Sequence, residues 1–227
     1  MMQPLPIDLK AFAAEVHANA CEHGWWDTER EYPEIVALIN SELSEALEEY
    51  RDERPMQYTG CRIMPGSCTP ADYEGRICPE RSLWDADDGI PCEHRSDKPQ
   101  GIAAELADCV IRILDLCCKS KIDIAAAMKQ AYEVINRAGA PLRSISPSQN
   151  AIYASEGKPL PIVVAYCQRD ISVTLDFGIN MRPAMLALCI ARIQEYCGRE
   201  GVDLVQTLRL KHEYNITRPH RHGGKLC

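Results

Sequence analysis

Four carboxylates carry the first chemical signal in this 227-residue chain. "SELSEALEEYRDE" puts Glu42 and Glu45 at i, i+3, and "GIAAELADCVIRILDLC" does the same with Glu105 and Asp108. On a helix that spacing brings both acids of a pair to one face. A single pair of this kind most often marks the edge of a solvated face. Here both pairs sit beside apolar stripes, Leu38, Ile39, Leu43, Ala46 and Leu47 in one case and Ile102, Leu106, Val110, Ile113 and Leu116 in the other. Two such helices packed against each other would gather four carboxylates, whose mutual repulsion calls for a counter-cation. Oxygen ligands without histidine favour a hard ion, Mg²⁺ with Mn²⁺ as substitute. A di-iron bundle would want Glu-x-x-His pairs, and neither segment has one.

The elements that must position these acids are mostly helical by hydrophobic period. The pattern predicts helices over residues 7–24, 33–52 and 100–119, then over "KIDIAAAMKQAYEVINRA", and finally over 161–177, 182–198 and 202–216. "PIVVAYCQRDISVTLDF" would also suit a strand, since Ile, Val and Thr favour sheets, but its helical neighbours decide for helix. Residues 53–99 are rich in Pro, Gly and Cys without a sustained period, which predicts a long irregular insertion. The expected fold class is therefore all-α. Its organisation is a half spanning residues 1–140 that carries the acids and the insertion, and a second half spanning 141–227.

An offset of eighty residues lays "ALCIARIQEYCGREGVDL" over "ADCVIRILDLCCKSKIDI". Ala, Cys, Arg, Ile, Cys and Asp recur at 107/187, 109/189, 112/192, 113/193, 117/197 and 123/203, which is how an internal duplication announces itself. Glu105 and Asp108 become Met185 and Leu188 in the second copy, so only the first retains its acids.

The net charge of −8 argues against a general nucleic-acid or membrane-surface binder. No run approaches transmembrane length, and "MMQPLPIDLK" lacks the layout of a secretory signal. The expected location is the cytoplasm, where the twelve cysteines would stay reduced. Cys109, Cys117, Cys189 and Cys197 fall in apolar helical runs and read as small hydrophobes. Cys61, Cys68, Cys78 and Cys92 in the insertion are candidates for a structural Zn²⁺, although their spacings are not those of common zinc knuckles. The other reading of that segment is a lid or an interaction loop.

These acid pairs, with "HANACEHGWWD" and "KHEYNITRPHRHGGK" near the two ends, resemble the MazG-like all-α nucleoside triphosphate pyrophosphohydrolases, relatives of the dimeric all-α dUTPases. The chain differs from that pattern in having Ser41 where an additional acid is common. Its acidic helices are also further apart, and its basic element lies further from the second of them. The resemblance implies a helical bundle that forms a homo-oligomer, a dimer or tetramer, and holds Mg²⁺ on Glu42, Glu45, Glu105 and Asp108. It also implies hydrolysis of a nucleoside triphosphate to the monophosphate and pyrophosphate. Glu45 would share the role of base towards water. Lys211, Asn215 and Arg218 would contact phosphates, as the charge of a triphosphate requires. Trp25, Trp26, His17, Asn19 and Tyr214 would form the base pocket. The blander readings are core tryptophans and a solvated basic tail. The competing function is a catalytically inert oligomeric binding protein on the same scaffold.

Overall fold

The computed structural model describes residues 2–61, 95–137, 156–176 and 180–220. Helix α1, Leu9–Glu22, is opened by the Asp8 carboxylate, which accepts from the amides of Lys10 and Ala11. Leu9, Phe12, Ala13 and Val16 form its buried face. Helix α2, Tyr32–Arg51, begins with Pro33 in its first turn, where no amide donor is needed. Helix α3, Ile102–Lys119, is buried along nearly all its length and is the axis of the fold. Helix α4 follows at Ile124–Arg137, then α5 at Leu160–Asp176, α6 at Arg182–Arg199 and α7 at Leu204–Ile216.

The all-α expectation holds with one addition. Strands β1, Tyr58–Cys61, and β2, Arg95–Gln100, pair antiparallel, with Tyr58 opposite Gln100 and a bulge between Thr59 and Cys61. Both ends of the stretch expected to be irregular are thus tied together by a ladder that its composition hid. Cys68, Cys78 and Cys92 lie outside the described residues, as do the side chain of Cys61 and the expected boundary at 140/141. The segment that could have been a strand is helix α5. No helix among the described residues is long and apolar enough to cross a membrane.

The eighty-residue offset reappears as local structure. Each of α3 and α6 ends in a turn with one residue at positive φ, Lys121 at 56° and Gly201 at 75°. In each turn the next amide reaches back to a cysteine carbonyl at 2.8 Å, Ile122 to Cys117 and Val202 to Cys197. Asp123 and Asp203 then cap the following helices. A second correspondence, offset by 128 residues, relates α2 to α5. Ile35, Val36, Ile39, Glu42, Leu43 and Ala46 are buried in the first, and Val163, Val164, Cys167, Asp170, Ile171 and Thr174 in the second.

Packing interlocks the two sets. Helix α3 packs on α2 and α6 packs on α5, but α4 crosses to α6 and α7 crosses to α3. One continuous apolar core runs through residues of both. Helix α1 covers α3.

Candidate metal and nucleotide site

Helix α3 carries a polar stripe through an otherwise apolar surface. Glu105, Asp108, Arg112, Asp115 and Lys119 fall at i, i+3, i+7, i+10 and i+14, one helical face. The stripe starts in the first helical turn, where the helix dipole favours a carboxylate. Gly101 sets the start point. It has φ +98°, and a Cβ there would lie 2.6 Å from the carbonyl oxygen of Pro55. The Ala103 amide donates to the Met56 carbonyl at 2.8 Å. The segment after α2 is therefore laid directly over the beginning of α3.

Glu42, Glu45 and Glu105 each bring a carboxylate oxygen within 4.8 Å of the others'. Glu42 and Glu105 are buried, while Glu45 is exposed at the rim. Such a set of oxygens, with no nitrogen or sulfur, suits a hard divalent ion. Burial raises the Glu105 carboxyl to about 7, with Asp108 and Glu42 adding to the rise and Lys211 and Lys98 opposing it. Glu42 is also raised by burial, against the pull of Arg112. Arg112 donates from Nε to Glu42 Oε1.

Asp108, the fourth expected acid, faces α7. Lys211 Nζ lies 3.0 Å from Asp108 Oδ2, 3.7 Å from Glu105 Oε1 and 3.1 Å from the carbonyl of Pro99, to which it donates. Asn215 Nδ2 reaches Asp108 Oδ1 at 3.5 Å. Lys211 is fully buried. Burial alone would lower its pKa, but Asp108 and Glu105 outweigh that and the net shift is upward. Two of the three residues assigned to phosphate, Lys211 and Asn215, thus stand against the acids themselves. Arg218 follows α7, where its amide donates to the carbonyl of Asn215.

The far end of the stripe meets the tryptophan turn. Gly24, with φ +76°, closes α1, and a Cβ there would collide with the ring of His220. His220 Nε2 is 3.4 Å from Asp27 Oδ2. The chain beyond α7 therefore rests on the Trp25–Trp26 turn. The guanidinium groups of Arg30 and Arg112 stand over the Trp25 ring at 4.3 and 4.7 Å. Trp26 donates from Nε1 to Asp115 Oδ1 at 3.0 Å, and His17 Nδ1 is 2.6 Å from the same oxygen. The His17 and Trp26 rings meet edge to face, with centroids 5.9 Å apart. Asn19 is not on that side of α1, because residues two apart do not share a helix face. Its Oδ1 is buried without a hydrogen-bond partner among the described residues. Tyr214 is partly buried near the end of α7 and accepts from Thr217 through its carbonyl.

Neither Arg112, noted only as a position of the repeat, nor Asp115 is among the site residues expected from the sequence. Their signal was available, since both continue the face begun by Glu105 and Asp108. What could not be read was their partners, which lie 70 and 98 positions away.

Under the two offsets the second set of helices has an acid at one of the four positions only. Asp170 and Arg192 pair at 2.9 Å where Glu42 and Arg112 pair in the first. Under the two offsets, Glu45, Glu105, Asp108 and Asn215 correspond to Val173, Met185, Leu188 and Ile135. Those four form a small apolar cluster of their own. Lys211 corresponds to Ala131.

No known protein family, curated protein or solved structure matches the chain.

Proposed function

We propose that the protein is a Mg²⁺-dependent nucleoside triphosphate pyrophosphohydrolase, releasing the monophosphate and pyrophosphate. The observation that carries this reading is the convergence of Glu42, Glu45 and Glu105 within 4.8 Å, beside a buried lysine on an adjoining helix. Glu42, Glu45, Glu105 and Asp108 would hold the ion. When bound, Mg²⁺ supplies charge neutralisation at the phosphoryl oxygens. Glu45, at the exposed rim, orients a water for in-line attack on the α-phosphorus and takes its proton. Lys211 and Asn215 change partners, from the acids to phosphate oxygens, and Arg218 adds charge to the outer phosphates. The Trp26–His17–Asp115 cluster receives the base. The correspondence of α2–α4 with α5–α7 supports a fused duplication that kept one site and packed the other with hydrocarbon.

A second reading draws on Lys211, whose ammonium already neutralises two of the acids. On that reading the chain is an inert binding scaffold. A panel of NTPs and dNTPs with Mg²⁺, followed for pyrophosphate and orthophosphate, separates the two. The enzyme reading requires pyrophosphate release that is lost in Glu45→Gln and Glu105→Gln. Orthophosphate alone contradicts the cleavage position. No turnover on any nucleotide, with the acids dispensable for ligand binding, favours the scaffold.

A further inference from the structure

We propose that Asp115 reads the nucleobase and selects one carrying an exocyclic amino group, as cytosine and adenine do. The inference rests on the nucleotide reading above and adds the substrate class. Asp115 is buried, with one tenth of its side-chain surface open. Its two donors, His17 Nδ1 and Trp26 Nε1, both converge on Oδ1. Among the described residues no hydrogen bond reaches Oδ2. The part of Asp115 that remains open leaves Oδ2 as the oxygen free to accept from an incoming donor. The rings of His17 and Trp26, set edge to face, supply the flat walls that a base needs.

Position along the helix supports the same assignment. Asp115 lies seven residues beyond Asp108 on one face of α3, roughly 10 Å along the axis. Arg112 lies between them on that face, with its guanidinium over the Trp25 ring. A nucleotide anchored by its phosphates at the acids and Lys211 therefore carries its base towards Asp115.

The chemistry of the free oxygen then discriminates. Oδ2 is an acceptor only, so an amino N–H is attracted and a carbonyl oxygen in the same place is repelled. Guanine, which offers two adjacent donors, wants both carboxylate oxygens, and Oδ1 is already saturated by two donors. Uracil has an imino N–H, but two carbonyl oxygens flank it and face the carboxylate charge.

Paired substrates that differ only in amino against keto test this, dCTP against dUTP and dATP against dITP. Wild-type protein is expected to favour the amino member in kcat/KM by on the order of tenfold to a hundredfold. Asp115→Asn keeps an oxygen for His17 and Trp26 and turns an NH₂ donor to where Oδ2 stood. Its preference is expected to invert towards the keto member, an outcome that a merely structural role for Asp115 would not produce. A wild-type ratio near one, or an unchanged ratio in D115N, overturns the assignment. Titration of wild-type protein with dCMP and dUMP gives a second measure that needs neither the variant nor turnover. Tighter dCMP binding without hydrolysis of any triphosphate upholds the role of Asp115 and overturns the reaction. Hydrolysis without discrimination upholds the reaction and overturns the role of Asp115.

Discussion

Glu105 combines burial with proximity to two further acids, and its protonation is tied to folding. Its carboxyl is raised from an ordinary 4.5 to about 7, so the folded chain holds a proton that the unfolded chain releases. That contribution to stability is complete below pH 4.5 and is lost as pH rises through 7. The shift corresponds to on the order of 3 kcal/mol. Thermal melts of the metal-free protein should show stability falling across this window, and Glu105→Gln should remove most of the fall. Added Mg²⁺ should raise the melting temperature most at the upper end, where the acids are ionised and free to bind it. Arg192 makes a second residue-scale case. It is buried against Asp170, and Asp170→Ala leaves its charge without that partner, at a cost of about 3–5 kcal/mol. Replacing both residues with hydrocarbon side chains of similar volume should recover most of this in urea unfolding.

At the scale of elements, the two α-α turns form a natural pair of experiments. Lys121 adopts φ 56°, where a side chain is strained, and Gly201 adopts φ 75°, in the same region, which glycine enters without that strain. Lys121→Gly should stabilise the protein by about 1 kcal/mol and Gly201→Ala should destabilise it by a similar amount. Removing the cap at Asp123 or Asp203 should cost about 1 kcal/mol each. Helix placement was largely legible because the apolar residues repeat every three to four positions. Helix α5 was the ambiguous one, since its Ile, Val and Thr content suits a strand, and packing on α2 and α6 decided it. The β1–β2 ladder was not legible, because Lys98, Pro99 and Gln100 show no alternation of polar and apolar residues. Of the candidate site, the acid pairs could be read from spacing alone. The Asp115–His17–Trp26 cluster depends on α1 lying against α3, a long-range contact that no local pattern encodes.

The whole molecule is held together by exchange. Because α4 rests on α6 and α7 on α3, neither half can bury its apolar faces without the other. Unfolding should therefore follow one cooperative transition. In a Trp84→Phe variant, the remaining Trp25 and Trp26 report on the turn between α1 and α2, whereas circular dichroism in the far ultraviolet reports on all the helices. The two signals should give coincident denaturation curves. A tryptophan signal lost at lower denaturant than the helical signal would show the halves to be independent.

The crossing of α7 also makes the proposed site a coincidence detector. Glu105 and Asp108 come from one half of the sequence, and the lysine and asparagine that meet them come from the other. A chain divided between Arg137 and Glu156 would give two inactive pieces, each with half of the chemistry. Co-expressed, they should find each other through the core they share and recover nucleotide hydrolysis. The output would then report that both pieces are present in the same compartment.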